Sequence, residues 1–397
     1  AQAQGATLTC ADGVQHADFC LGDTGAMFGH SPAPLAQAIA EQAARGLTCM
    51  LPATNAAAVG ELLANTFGLP MWQMALSASD ANRFVLRWAR AITGRPRLLV
   101  FDGCYHGAVD DTLVDMDPVT GATLPRNSVL GQVHNHASFT RVVPFNDLGA
   151  LEAALKQGDV ACLLAEPALT NFGLVPPEAG YWEQARALCR THGALFVCDE
   201  THTISTGPGG ATVAYGLEPD IFTLGKAIAG GVPAAVWGVT SELSERMAKA
   251  AQSIGPGYSG IGTTLSGNAL SLAAMKVMLN EVMTPKAYGF MLAGAERLVA
   301  GLRRVIAARG LAWSAVQVGA RVELVFANPP PRNAKQMRVA LDHGLLEALH
   351  LFLINRGVLI APFHNMMLVS PYTEDAAIDR LVAAVDDFAA ALESLDL

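Results

Sequence analysis

Short apolar runs alternate with amphipathic stretches over most of this chain, and each run stops at a polar or glycine residue. This pattern constrains the fold most, because fully apolar runs suit strands buried on both faces and the stretches between them suit covering helices. It predicts an α/β architecture on a largely parallel sheet, with strands at 72–76, 98–101, 160–164, 194–198, 221–224 and 234–239. Helices are expected at 80–93, stopped by Gly94, and at 181–191, stopped at Gly193.

At 397 residues the chain exceeds what one minimal core needs, which predicts two domains sharing an interface. The alternation changes near residue 285 to long helix, strand pair, long helix, strand pair and final helix, with turn material at Asn328-Pro329-Pro330-Pro331-Arg332-Asn333. The expected division is an N-terminal segment 1–35 packing with the small domain, a large domain 36–284 and a small C-terminal domain 285–397. Asp12-Gly13 reads as a hairpin turn that pairs the N-terminal strands away from the main sheet. Residues 109–141 lack periodicity, and so long a loop reads either as an active-site lid or as a decorative insertion.

Charged residues make up only 15% of the chain against 51% hydrophobic, a balance that favours surface buried between subunits. A net charge of −9 without a basic run argues against nucleic acid or an anionic membrane as partner. The seven cysteines show no CxxC or other ligand spacing, which predicts no metal site and reduced thiols in a cytoplasmic protein. The chain begins at Ala1 with no positive n-region and no long apolar segment, so neither a signal peptide nor a membrane span is expected, and the start reads as truncated.

In an open parallel sheet, ligands gather beyond the carboxyl ends of the strands, so the residues following each run are compared as one set. Lys226 follows Ile221-Phe222-Thr223-Leu224-Gly225 and precedes Ala227-Ile228-Ala229-Gly230-Gly231. A lysine desolvated in such surroundings has a lowered pKa and forms an imine with a carbonyl; the alternative is a strand-end lysine before a loop. Ser77-Ala78-Ser79-Asp80-Ala81-Asn82 opens a helix with small residues, which suits either a phosphate at the helix N-terminus or an ordinary N-cap. Asp102-Gly103-Cys104-Tyr105-His106-Gly107 offers an aromatic to stack on a flat ring, or simple packing. Asp199-Glu200 ends a run too apolar to solvate carboxylates, and a protonated ring nitrogen would partner one of them. Glu166-Pro167, with Asn171 downstream as a ring-oxygen donor, is a further strand-end acid, or turn material. A phosphate cradle, a ring stacker, an acid for a pyridinium and an imine-forming lysine are together what pyridoxal 5′-phosphate requires.

With Gly29-His30-Ser31-Pro32, Val175-Pro176-Pro177 and Thr264-Leu265-Ser266-Gly267-Asn268 added, the chain resembles the class III aminotransferases, within them the glutamate-1-semialdehyde aminomutase-like branch, over nearly its whole length. The resemblance implies a fold-type I transferase, with a mostly parallel seven-stranded sheet in the large domain and a smaller α+β C-terminal domain. It implies Lys226 as the imine lysine, Asp199 as pyridinium partner, Tyr105 on one ring face and Thr201 against the other. Ala78 and Ser79 would bind phosphate, with His106, Glu166 and Asn171 around the ring; Thr264 would reach the phosphate of the neighbouring subunit, which requires a homodimer. The sequence departs from the family at the phosphate turn, where Asn-Ser-Gly-Thr-Glu-Ala is common, and at Thr201-His202-Thr203. His202 reads as a cofactor or substrate contact, or as a structural residue behind them.

No arginine is clearly placed for a substrate carboxylate; Arg321 is a candidate for that role or for an interface ion pair. Pro362-Phe363-His364-Asn365-Met366-Met367-Leu368 occupies the region that lines the substrate entrance in related enzymes, with His364 and Met366 as candidate contacts, and Met366-Met367 as core otherwise. That stretch is similar to amine-type transaminases, including fumonisin-type aminotransferases. The expected activity is transamination from a hydrophobic amine or a distal-amino or β-amino acid to a small keto acid such as pyruvate or 2-oxoglutarate. The alternatives are an aminomutase, which a lid at 109–141 would favour, a racemase, and a silent relative that binds an amine ligand.

Overall fold

The computed structural model of the chain describes residues 2–254 and 257–394. Its strands are, in order, β1 (Gln2–Gln4), β2 (Thr7–Thr9), β3 (Gln15–Asp18), β4 (Met71–Ala75), β5 (Arg97–Phe101), β6 (Val114–Met116), β7 (Thr123–Pro125), β8 (Thr140–Val143), β9 (Val160–Ala165), β10 (Leu195–Asp199), β11 (Ile221–Leu224), β12 (Ala235–Val239), β13 (Ser314–Val318), β14 (Arg321–Val325), β15 (Val358–Leu359) and β16 (Met366–Leu368). Seven of them form the main sheet in the order β4-β12-β11-β10-β9-β5-β8. Only β12 runs against its neighbours β11 and β4; the rest are parallel. Every residue of β9, β10, β11 and β12 is buried, as a sheet covered on both faces requires. This is the mostly parallel seven-stranded α/β sheet expected from the sequence.

The six expected strands form within a residue of their expected ends, and the seventh, β8, begins inside the aperiodic segment 109–141. That segment is not one irregular loop. It holds the β6–β7 hairpin, two short helical turns and the start of β8, all pieces of three or four residues, too short for a period to show. Helix Ala78–Thr93 is capped by the Ser77 hydroxyl, which accepts from the Asp80 amide at 3.1 Å, and ends at Gly94 with φ 67°. Its buried face, including Ala81, Val85 and Trp88, packs on the sheet, which aims its N-terminal turn past the carboxyl ends of the strands.

The C-terminal part carries an antiparallel sheet, β13-β14-β16, against helices Pro285–Ala308 and Asp375–Glu393. Leu298, Val322, Leu353, Met367 and Phe388 share its core. Two expectations change here. The second long helix is divided into Ala334–Ala340 and His343–Ile354, with Asp342 capping the latter through the Leu345 amide at 2.9 Å. The second strand pair does not pair with itself: β16 joins β14, and β15 runs parallel to β3. The hairpin β2–β3 turns at Asp12-Gly13 (φ 86° at Gly13), away from the main sheet. Leu21, Met27 and Phe28 then pack with Leu224, Ile228, Tyr288 and Met366, so the N-terminal segment lies between the β11 strand end and the C-terminal sheet. No described helix is long and apolar enough to cross a membrane.

Candidate active site

A cavity of about 820 Å³ opens beyond the carboxyl ends of the main-sheet strands. Ser77, Ala78 and Ser79, at the N-terminal turn of helix Ala78–Thr93, line one end of it. An α-helix leaves its first amides without partners inside the helix, and their dipoles favour an anion. Two glycines keep this turn tight. A Cβ at Gly107, whose φ is 84°, would fall 2.1 Å from the Ser79 hydroxyl oxygen, and one at Gly225 would fall 2.9 Å from the Ala78 Cβ. The Ser79 hydroxyl accepts from the Ala108 amide at 3.0 Å, which ties the turn after β5 to the helix start.

Asp199 ends β10 at the middle of the sheet and is almost wholly buried. Its Oδ2 accepts from His106 Nδ1 at 2.9 Å and from Asn82 Nδ2 at 2.8 Å, and its Oδ1 from the Thr201 amide at 3.1 Å. Burial alone would raise this carboxyl, but the donors outweigh it and hold the pKa below the ordinary aspartate value. Burial likewise opposes charge on His106, yet Cys104 and Asp199 hold its pKa well above the ordinary value. The result is a buried imidazolium–carboxylate pair. Asn82 is fixed in turn by the Thr223 hydroxyl, which donates to its Oδ1 at 2.8 Å. Neither Asn82 nor Thr223 stands out in the sequence as a site residue. The one available signal is an amide set on a helix face otherwise made of Ala81, Val85, Leu86 and Ala89, where the structure buries it fully.

Lys226 stands at the turn after β11 with φ 45°, a left-handed backbone that a lysine seldom adopts. Its Nζ donates to Asp23 Oδ2 at 2.5 Å and lies 2.8 Å from His202 Nε2. Burial lowers the Lys226 pKa, with Arg321 adding to it, and Asp23 opposes them without cancelling them. His202 Nδ1 lies 2.9 Å from the Thr24 hydroxyl, and burial together with the Lys226 and Arg321 charges holds His202 well below the usual histidine range, as a neutral ring. His202 is therefore in contact with the lysine itself. Asp23 and Thr24 carry no signal in the sequence.

The other site residues expected from the sequence divide into those on the cavity wall and those behind it. Tyr105, half-exposed, and His106 line the cavity with Glu166, Asp199, Thr201 and Lys226. The buried Oγ1 of Thr201 and Nε2 of His106 have no hydrogen-bond partner among the described residues. Glu166 accepts from the Tyr105 amide and the Asn171 side chain, both at 3.1 Å, and from the Thr170 hydroxyl; burial raises its pKa. Asn171 is thus turned onto Glu166 and is not part of the wall. Arg321 is fully buried on β14, outside the lining: its Nε donates to the His202 carbonyl at 3.2 Å and the Ser205 hydroxyl at 3.1 Å, and its Nη2 to the Thr24 hydroxyl. Burial lowers its pKa to about 10. His364 and Met366 are buried behind it, with His364 Nδ1 3.2 Å from Glu323 Oε2 and Met366 Sδ 3.4 Å from Arg321 Nη1. Thr264 lies apart from this cavity, on a second one of about 620 Å³ beside Thr48, Met50 and Leu51. No residue of 109–141 lines the main cavity, so that segment is not a lid over it in this structure.

The model of the class-III aminotransferase family, "Aminotransferase class-III", matches residues 1–388. This chain belongs to that family. The class-III aminotransferase described here is 33% identical over 98% of its length to a glutamate-1-semialdehyde 2,1-aminomutase of Roseiflexus castenholzii, 88% of which is covered. It is similar to a solved glutamate-1-semialdehyde aminomutase from Pseudomonas aeruginosa PAO1 at 48% identity and a TM-score of 0.94, covering 98% of this chain and 86% of the other. A lysine-to-alanine variant of that enzyme has been solved in complex with PMP. An omega-transaminase from Sphaerobacter thermophilus matches at 26% identity and a TM-score of 0.90, covering 99% and 90%.

The cofactor of this class-III aminotransferase is pyridoxal 5′-phosphate, and the cavity fits it. The glycine-lined turn at Ala78 and Ser79 leaves room and amides for a phosphate, Thr201, whose buried hydroxyl has no partner among the described residues, is on the same wall, and Asp199, its pKa held low, lines it too. Lys226, of lowered pKa, lines the same cavity.

Proposed function

We propose that this chain moves an amino group within a single small substrate, as a glutamate-1-semialdehyde-type aminomutase does. The observation that carries the chemistry is the placement of Lys226 and Asp199 on one cavity wall, one held toward its reactive neutral amine and the other held ionised. Pyridoxal 5′-phosphate, when bound, supplies the electron sink for a carbanion at the substrate's amine-bearing carbon. Ala78 and Ser79 would hold its phosphate, Tyr105 would cover the ring, and Asp199 would keep the ring nitrogen protonated with His106 and Asn82 fixing its oxygens. Lys226 would form the covalent link and, once free, carry the proton between carbons as general base. Restriction to one substrate is supported by the 48% and 33% identical relatives, both named as aminomutases.

A second reading, transamination from a hydrophobic amine to a keto acid, is favoured by Ile39, Ala26 and Val232 on the apolar side of the cavity and by the likeness to the omega-transaminase. One experiment separates the two. The loaded enzyme is given glutamate-1-semialdehyde alone, and separately 1-phenylethylamine with and without pyruvate. Isomerisation of the single substrate without acceptor is the expected result; turnover only with amine and pyruvate together would replace it by the transaminase reading. Lys226→Ala should abolish both, together with the visible absorbance acquired on incubation with the cofactor. We further propose that two copies associate through the surface carrying Thr264, a reading supported by the exposed apolar side chains Leu47, Met50, Leu51 and Leu265 around the second cavity.

A further inference from the structure

The lysine is gripped by a segment that the family chemistry does not call for. Leu21, Gly22, Asp23 and Thr24 follow one another with φ of 49°, 58°, 49° and 84°. Three of these four carry a side chain into the left-handed basin, and such strain persists only where the surroundings over-determine it. Here they do. The Asp18 Oδ1 accepts from the amides of Cys20 and Leu21 at 2.8 and 2.9 Å, Leu21 and Thr24 are fully buried, and the Thr24 hydroxyl is held between Arg321 Nη2 and His202 Nδ1. Asp23 is the one charged member of the run; its side chain is partly exposed, its carboxylate accepts from Lys226 Nζ, and it sits between Gly22 and Gly25, which line the cavity with Lys226.

We propose that Asp23 is a catalytic residue: its carboxylate accepts the proton that a substrate ammonium must lose before its nitrogen can displace Lys226, and returns that proton to Lys226 Nζ when the lysine is released. This rests on the reading of Lys226 as the imine-forming lysine. The proton balance closes on the chain's own groups. The substrate ammonium gives up three protons in all: the first resides on the Asp23 carboxyl, two pass from the substrate nitrogen to Nζ as the new carbon–nitrogen bond replaces the old one and Nζ regains its bonding pair as a lone pair, and the first then moves from Asp23 to that lone pair. The final state is the ammonium–carboxylate contact seen at 2.5 Å. His202, neutral and 2.8 Å from Nζ on another side, holds the amine toward Asp23 without competing for the proton.

The groups facing Asp23 support this. Lys226 approaches from the turn after β11, His202 from the turn after β10 with Nδ1 3.9 Å from Asp23 Oδ1, and Arg321 from β14; Asp18 and Cys20 stand on its own segment. Glu166, from the end of β9, acts on Lys226 as a second, more distant negative charge. Asp23 is the only carboxylate among the described residues that contacts Nζ.

The test begins with the cofactor-free chain, its lysines dimethylated with ¹³C-formaldehyde and Lys226 assigned by its loss in Lys226→Arg. Asp23→Asn should make the Lys226 resonance titrate about one pH unit or more lower, since a positive partner loses its counter-charge, and Asp23→Glu should restore most of the shift. An unchanged or raised titration in folded Asp23→Asn overturns the proposal. Should Asp23→Asn fail to fold, wild-type chain labelled at the aspartate carboxyl carbons decides instead: one carboxyl must respond across the Lys226 titration and lose that response in Lys226→Met, and absence of such a carboxyl overturns the proposal. In the loaded enzyme, stopped-flow mixing of Asp23→Asn with an amine should show a deficit of about 10²-fold at neutral pH that closes as the pH passes the amine's own pKa. A pH-independent deficit assigns Asp23 a structural role and overturns the proposal. If wild-type chain takes no cofactor at Lys226, the aminomutase reading falls; if it does and the Asp23 variants behave as wild type, only the role of Asp23 falls.

Discussion

His106 and Asp199 form a pair whose worth depends on pH with a definite sign. The folded pKa of His106 lies above its ordinary 6.5, so its contribution is whole below pH 6.5 and is lost as the pH rises through the raised value. The Asp199 pKa lies below 3.8, so its contribution is whole above 3.8 and is lost as the pH falls through the lowered value. The pair is therefore strongest between those limits. His106→Ala, which leaves a buried carboxylate short of a partner, should cost about 3–5 kcal/mol in urea unfolding at pH 6 and clearly less at pH 10. His202 has the opposite sign: held neutral, it stabilises above pH 6.5 and is lost as the pH falls. At the same scale, Lys226, Asp199 and Ser79 are legible in the sequence because each closely follows a run whose burial is written in its composition. Asp23 is not, since its contact spans 203 positions and its backbone geometry is not signalled by residue type. Arg321 draws notice for its charge, but the sequence cannot tell a guanidinium that faces a ligand from one that holds Thr24 in place.

At the level of elements, the alternation of runs locates six of the seven main-sheet strands and helices Ala78–Thr93 and Tyr181–His192 almost to the residue. Where elements shrink to three or four residues, as in β6, β7 and β8, too few alternations remain to read, and the segment resembles a loop. The phosphate cradle proposed at the helix start at Ala78 would need the turn after β5 to lie flush against it. Gly107→Ala should break that fit, because its Cβ would meet the Ser79 hydroxyl oxygen at 2.1 Å in a left-handed backbone. The expected outcome is a loss of more than about 1 kcal/mol in stability and a markedly weaker cofactor affinity, read by equilibrium dialysis. Gly13→Ala, where no described atom lies within 4 Å of the new Cβ, is the control: it carries a comparable backbone penalty (φ 86°) but should leave cofactor affinity unchanged.

For the whole molecule, the exposed Met50 and Leu51, beside the cavity that holds Thr264, are the apolar surface that a second copy would cover. Met50→Glu with Leu51→Lys should shift the chain toward monomer in sedimentation velocity and lower activity with it, whereas Val119→Glu, an exposed apolar residue on the β6–β7 hairpin loop, should do neither. The main site is itself drawn from distant parts of the chain. Arg321 holds Thr24 across 297 positions, next to the Asp23 that meets Lys226. A nascent chain that has left the ribosome only as far as its lysine has no guanidinium to secure the opposite wall. The wall facing the lysine is thus whole only in a chain that already includes β14.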